Sequence, residues 1–115
     1  MHVDVRNAGD VIIVDMSGKL VAGTGDVILR EVMNELVAGG WKKILLNLSE
    51  VSSIDSAGVG ELVASIKLAE RFGSAVKTLR IGDRVRHVLQ ISRILPKLSV
   101  YEDEHEALKA FGVTA

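Results

Sequence analysis

A serine follows an aspartate at the junction between an apolar run and a helical pattern. The apolar run, Lys43 to Leu48, is rich in Ile and Leu, as in a strand that is covered on both faces. The helical pattern begins after Ile54, so Asp55 or Ser56 is predicted to be the N-cap, whose side chain accepts from an amide of the first turn. A phosphate on the Ser56 hydroxyl would lie near the positive end of the helix dipole, where negative charge is stabilised. On spacing alone, the favoured interpretation is that Ser56 only caps the helix, and modification of its hydroxyl is the alternative.

Other kinds of active site are not supported by the spacing of the residues. Gly58 and Gly60 are not followed by the Gly-Lys-Ser/Thr ending of a phosphate-binding loop, and Val63 stands where a dinucleotide motif has its third glycine. The Gly-x-Ser-x-Gly elbow of hydrolases is absent. The histidines lie far apart and cysteine is missing, so no metal site and no thiol chemistry are expected. We predict that the chain is not an enzyme and uses no cofactor.

The composition is typical of one small domain. The chain has 115 residues, of which 48% are hydrophobic, enough for one core but not for two ordinary domains. Its formal net charge of -1 predicts no direct binding to nucleic acid. The basic cluster Arg80 to Arg86 is interpreted as a solvated helix face, with partner docking as the alternative. No apolar run approaches the roughly 20 residues that cross a bilayer, so we expect a cytoplasmic protein without a membrane partner.

Strands and helices alternate in the predicted order of elements. Val3 to Arg6 and Val11 to Met16 are predicted to form an antiparallel hairpin. The later predicted elements are a helix from about Asp26 to Gly39, the strand Lys43 to Leu48, a helix with the apolar stripe Val59, Leu62, Val63 and Ile66 that ends near Phe72, the strand Lys77 to Ile81, the helix Arg84 to Ile91, the strand Leu98 to Tyr101 and a helix from Asp103 to Phe111. This alternation predicts one α/β domain over residues 1–115, with a mixed, mainly parallel sheet and about four helices.

The segment Ile44 to Gly60, with its Asp-Ser-x-Gly-hydrophobic-Gly ending, resembles the signature of bacterial anti-sigma factor antagonists, which are single-domain members of the STAS family. The likeness extends over nearly the whole chain and includes a turn that contains Gly18. In that family, the serine directly after the aspartate is phosphorylated by an anti-sigma factor that is itself a serine kinase. The resemblance therefore implies that Ser56 is the phosphorylated residue, and Ala57 excludes a second phosphorylation beside it.

The same resemblance implies a protein-binding switch. The unphosphorylated chain would sequester the anti-sigma factor kinase and release a sigma factor, and a phosphatase would reverse the modification of Ser56. The surface that binds this partner is expected to comprise Thr24, Asp55, Ser56, Ala57, Gly58, Val59 and Gly60. The alternative is a phosphorylation-independent STAS module, which serves as a scaffold or senses a small ligand and in which Ser56 only caps the helix.

Overall fold

Two adjacent strands at the centre of the sheet, β2 (Val11–Leu20) and β3 (Lys43–Ile54), are covered on both faces. The computed structural model describes residues 1–112. Residues 11–14 of β2 and residues 44–46 of β3 are buried without interruption. Because successive side chains of a strand point to opposite faces, such runs require a layer on each side of the sheet.

Within residues 1–112 the chain forms five strands and four α-helices. β1 (His2–Ala8) pairs antiparallel with β2, and the pairs β2–β3, β3–β4 and β4–β5 are parallel, so the strands lie in chain order across the sheet. The other elements are α1 (Gly25–Ala38), α2 (Ser56–Arg71), β4 (Ala75–Leu79), α3 (Asp83–Ile91), a 3-10 turn (Leu95–Lys97), β5 (Val100–Tyr101) and α4 (Glu104–Ala110). The predicted α/β fold with its mixed sheet is confirmed, and the end of the predicted domain, residues 113–115, lies outside the described residues.

The two faces of the sheet carry layers of unequal size. On one face, α1, α2 and α3 contribute Leu29, Leu62 and Leu89 to the larger core. On the other face, α4 contributes Ala107 to a smaller cluster, which Phe111 completes. α2 is therefore held on the side of the sheet that has the larger core, together with the helices before and after it.

The ends of β2 and β3 differ from the predicted ones, because buried and exposed side chains do not alternate regularly along these strands. β2 continues to Leu20 instead of ending at Met16, since Gly18 lies inside the strand rather than in a turn. Gly18 has a φ of 104°, and the pairing of β2 with β3 shifts register beside it. β3 continues to Ile54 instead of ending at Leu48, so residues 49–53 lie within the strand and not in a turn before the helix. Only one residue therefore separates the end of β3 from the start of α2.

The later strands are shorter or shifted by two residues. β4 begins and ends two residues before the predicted strand, because Arg80 has a φ of 45° and turns the chain out of the sheet. Ile81 is still buried in the larger core, which explains why it had the pattern of a strand residue. β5 keeps only the last two of its four predicted residues. The 3-10 turn ends at Lys97, and the chain joins the sheet only from Val100.

Arg6 on β1 joins the beginning of the described chain to its last helix. Its Nε donates to Asp15 Oδ2 on β2 at 2.6 Å, and its Nη1 donates to Glu104 Oε2 on α4 at 3.1 Å. Asn47 on β3 donates to Asp15 Oδ1 at 2.7 Å. The Arg6 guanidinium, and to a smaller extent the Asn47 amide, lower the pKa of Asp15 below its ordinary value. A charged network thus ties four elements, β1, β2, β3 and α4, together on the side of α4.

We predict that Asp15→Asn lowers the free energy of unfolding by about 1 kcal/mol at neutral pH, because the ion pair with Arg6 is lost. Since the pKa of Asp15 is depressed in the folded state, its stabilisation is present above the unfolded pKa of about 4 and is lost as the pH falls through the lower folded pKa. Urea titrations at about pH 7, 5 and 3 measure the difference, which should be equal at the first two values and smaller at the third. Glu50→Gln, at an exposed carboxylate on β3, is the control. A difference for Asp15→Asn that does not change with pH would contradict this role of the charge.

Candidate functional site

Asp55 fixes the start of α2 and connects it to a second loop. Its Oδ1 accepts from the Gly58 amide at 2.9 Å, which makes Asp55 the N-cap of the helix. Its Oδ2 accepts from the Ala22 amide at 3.0 Å, in the loop between β2 and α1. Sequence alone left Asp55 and Ser56 as alternative caps, and the structure assigns the cap to Asp55. The prediction of Ser56 as a possible cap is therefore wrong, whereas the phosphorylation-independent module stays an alternative.

The Asp55 carboxylate also supplies the negative charge at this helix end. The amides of Ala22 and Gly58 lower the pKa of Asp55 below its ordinary value, so the group is ionised at neutral pH. The positive end of the α2 dipole is thereby partly compensated before any modification takes place. The first turn of α2 itself contains no acidic residue.

Ser56 is the first residue of α2 and is exposed. Because Asp55 performs the capping, the Ser56 hydroxyl is not needed for the start of the helix. A hydroxyl in this position is accessible to a modifying enzyme, and the helix dipole favours an anion that is attached to it. The geometry thus permits a phosphate to be added without removing a contact on which the helix depends.

The starts of α1 and α2 both pack directly against the backbone at the end of β2. A Cβ atom added at Gly58 would overlap the carbonyl oxygen of Leu20, and one added at Gly25 would overlap that of Lys19. A Cβ at Gly60 would meet nothing within 4 Å. Glycine at the first two positions therefore lets both helices approach the strand, whereas Gly60 is not required by packing.

Thr24 lies next to this region. It is exposed and directly precedes α1, but its side chain does not cap the helix. The bond from the Ala22 amide to Asp55 ties the loop that contains Thr24 to the start of α2. Because the loops after the parallel strands β2 and β3 leave the same edge of the sheet, Thr24 and Ser56 belong to one surface.

The predicted partner-binding residues differ in their exposure. Thr24, Ser56 and Gly60 are exposed, Asp55 and Ala57 are half-buried, and Gly58 and Val59 are buried. The burial of Gly58 and Val59 gives them a role in seating α2 against β2 and the core. Direct contact of these seven residues with a partner stays a prediction.

Glu61 is a component of this region that the sequence pattern did not reveal. It lies on α2 and is only 8% exposed. Its Oε1 accepts from Arg30 Nε on α1 at 2.7 Å, and its Oε2 accepts from Ser65 Oγ at 3.0 Å. The predicted apolar stripe was partly misplaced, since Ile66 is only half-buried whereas Glu61 is buried. From the sequence, a glutamate beside the apolar stripe indicates the solvated face of the helix. The burial of Glu61 is explained by its bond to Arg30 on the neighbouring helix α1, which the sequence does not show.

A family model of the STAS domain matches residues 2–107. The chain belongs to the STAS domain family. A curated protein of Thermotoga neapolitana, provisionally named an anti-sigma factor antagonist, is 36% identical over 70 residues, which are 61% of this chain and 62% of that protein. The match thus spans less than two thirds of that relative's length. An anti-sigma F factor antagonist of Paenibacillus polymyxa is 23% identical over 115 residues, which are 100% of this chain and 98% of that protein.

The STAS fold is also shared with solved structures. The crystal structure of a provisionally named anti-sigma factor antagonist from Thermotoga maritima superimposes with a TM-score of 0.85 at 25% sequence identity, and the match covers 94% of this chain and 92% of that one. The predicted membership of the STAS family is confirmed by these findings.

Two further properties of residues 1–112 bear on the site. No group of three His, Asp or Glu side chains in this range is arranged to hold a metal ion. In the same range, no helix has both the length and the apolar character of a membrane span. The histidines His2, His87 and His105 are exposed, as expected from the sequence.

We predict that Asp55→Ala lowers the melting temperature, because both the α2 cap and the link to Ala22 are lost. Ser56→Ala should change the free energy of unfolding by less than about 0.5 kcal/mol, because the hydroxyl does not cap the helix. Amide hydrogen exchange should localise the effect of Asp55→Ala to the first turn of α2 and the loop before α1. If Ser56→Ala destabilised the protein as much as Asp55→Ala, the assignment of the cap would be incorrect.

We predict that Gly58→Ala lowers the free energy of unfolding by about 2 kcal/mol or more, because the added methyl group overlaps the Leu20 carbonyl oxygen. Gly60→Ala is the matched control on the same helix. It meets open space and replaces a poor helix former, so it should raise the free energy of unfolding by about 0.5–1 kcal/mol. Urea denaturation of both variants measures these changes, and equal effects would refute the close approach at Gly58.

Proposed function

We propose that this STAS chain is an anti-sigma factor antagonist, a binding protein and not an enzyme, and that phosphorylation of Ser56 ends its binding. In its unphosphorylated state it sequesters an anti-sigma factor that is a serine kinase, and a sigma factor is released. The kinase then modifies Ser56, and a phosphatase restores the binding state. The names of the relatives in Thermotoga neapolitana and Paenibacillus polymyxa support the general role.

One observation carries the proposal for Ser56: this serine is exposed at the start of α2 while Asp55 supplies the cap. A phosphate therefore replaces no structural contact of the hydroxyl. The 16-residue helix is anchored by buried residues along its length, among them Leu62 and Ala69, and is not easily displaced by a charge at its end. Modification changes the surface more than it changes the fold.

The effect of the phosphate on binding follows from the charge that is already present. The Asp55 carboxylate is ionised beside Ser56, and a phosphate adds roughly two more negative charges to the same turn. A partner surface that accommodates the unmodified turn would have to desolvate this charge or face it across the interface. A loss of about 3 kcal/mol from these effects weakens binding more than a hundredfold.

A phosphorylation-independent module would use a surface other than the turn that contains Ser56. A surface depression of about 460 Å³ lies between the end of α2, the strand β4 and the segment before β5, with Ile66, Gly73 and Lys97 among its lining residues. The turn that contains Ser56 does not contribute to it. If the chain were a scaffold or a sensor that uses this depression, a charge at Ser56 would leave its function unchanged.

We predict that incubation with ATP and the anti-sigma factor kinase of the same genome adds one phosphate to the protein and that the phosphate is on Ser56. Intact-mass analysis and mapping of the modified peptide detect it, and Ser56→Ala should remain unmodified. The kinase is first shown to be active on a second substrate. Absence of modification under these conditions would favour the phosphorylation-independent module.

Binding of the same anti-sigma factor supplies the second half of this test. Calorimetry should show that Ser56→Ala keeps its affinity, while Ser56→Asp loses about tenfold or more because one charge reproduces part of the effect of a phosphate. Asn34→Asp is the matched control, since it adds one charge to the second half of α1, away from the start of α2. Equal affinities for Ser56→Asp and the wild type would contradict the switch.

A further inference from the structure

Both ends of α3 carry an arginine in a backbone conformation that arginine disfavours. Arg80 precedes the helix with a φ of 45°, and Arg93 follows it with a φ of 59°. Among residues 1–112 these are the two non-glycine residues with positive φ. Side chains of L-residues crowd the backbone in this region, so such residues are retained only where the surroundings enforce them.

The end of α3 is built from the hydrogen bonds of a standard helix terminus. The Arg93 amide donates to the Gln90 carbonyl at 3.0 Å, and the Ile94 amide donates to the Leu89 carbonyl at 3.0 Å. These two bonds define the Schellman motif, in which the residue in the position of Arg93 is left-handed and is most often glycine. The arginine is therefore not explained by the geometry of the turn.

The other helices of this chain show which residue the turn favours. α1, α2 and α4 are followed at the same position by Gly40, Gly73 and Gly112, with φ values of 83°, 80° and 82°. Only α3, among the four helices in residues 1–112, has a side chain at this position. The turn itself therefore disfavours a side chain at position 93, which points to a role of Arg93 outside the fold.

Arg93 belongs to a strongly basic part of the chain. Residues 80–97 contain five of the 14 basic residues but only one of the 15 acidic ones. Two of the five are partly engaged within the protein, since Arg80 Nε donates to the Glu102 carbonyl at 2.6 Å and Arg86 pairs with the Glu102 carboxylate at 3.1 Å. The other three, Arg84, Arg93 and Lys97, are exposed.

An exposed aliphatic side chain lies among these charges. Ile91 is 68% exposed, more than any other large hydrophobic side chain in residues 1–112. Arg84, His87 and Ile91 are spaced at three and four residues, which places them on one face of α3. We call Arg84, His87, Ile91 and Arg93 the α3 surface. It combines positive charge with an apolar contact point, as docking surfaces for acidic polypeptides do.

We propose that the α3 surface is a second docking site, which binds an acidic segment of the anti-sigma factor with an apolar side chain placed against Ile91. This proposal rests on the proposed function. Charge complementarity favours an acidic polypeptide as the occupant, and residues 80–97 contain no Phe, Tyr or Trp side chain on which nucleic-acid bases could stack. Because this site is separate from Ser56, its contribution persists when the charge at Ser56 changes.

Binding of the anti-sigma factor to Arg93→Gly and Arg84→Gln tests the proposal. Arg93→Gly should raise the melting temperature, because glycine suits the turn, and at the same time weaken binding by about three- to tenfold. Arg84→Gln should weaken binding to a similar extent, and in both variants the affinity should depend less on salt concentration. Lys109→Gln, which removes a charge on α4 at the opposite face of the sheet, is the control and should bind like the wild type.

The other outcomes separate this proposal from the proposed function. If both arginine variants bind like the wild type while Ser56→Asp binds more weakly, the α3 surface is not a docking site and the switch at Ser56 stands. If the wild type does not bind the anti-sigma factor, both proposals are wrong. If a single-stranded oligonucleotide or phosphatidylserine vesicles bind the wild type but not Arg84→Gln, and the anti-sigma factor is unaffected, the occupant is not an acidic polypeptide.

Discussion

The close approach of two helix starts to the last residues of β2 is the constraint on which the functional surface depends. α2 reaches the Leu20 carbonyl because Gly58 has no side chain, and α1 reaches the Lys19 carbonyl because Gly25 has none. Asp55 then connects the α2 turn to the loop before α1 through the Ala22 amide. The sheet edge, the loop and the helix start thus form one rigid unit, in which Ser56 has a defined position although it is exposed.

The buried carboxylate of Glu61 extends this unit along the two helices. Glu61 is buried whereas Arg30 is 56% exposed, so removal of Arg30 would leave the Glu61 carboxylate without an opposite charge at the inner side of the helix pair. The bond from Arg30 on α1 therefore favours the arrangement of the two helices in which Glu61 is paired, and Ser65 orients this carboxylate from within α2. A surface held in one arrangement loses little entropy when a partner binds, so more of the contact energy appears as affinity.

The sequence was sufficient to predict those elements whose apolar spacing or capping residues form a strong local pattern. The order of the elements, the mixed sheet and the start of α2 at Asp55 and Ser56 follow from apolar spacing and capping chemistry alone. The ends of β2 and β3 did not follow, because Gly18 and the register shift beside it interrupt the alternation on which such predictions rely. The bond from the Ala22 amide to Asp55 joins residues 33 positions apart, and no pattern in the sequence indicates it. The position of the candidate site at the start of α2 was therefore predictable, but the contacts that fix this turn were not.

The Arg6–Glu104 pair joins residues that are 98 positions apart, and this separation bears on how the protein folds during synthesis. β1, β2 and β3 leave the ribosome early, but the helix that covers the second face of their sheet comes much later. Until α4 has been made, the buried side chains of Ile13 and Leu45 have no cover on that face. An apolar sheet surface exposed in this way is prone to aggregation. The polar and charged neighbours Arg6, Asp15 and Asn47 interrupt that surface, and so they protect the nascent chain before they serve the finished fold.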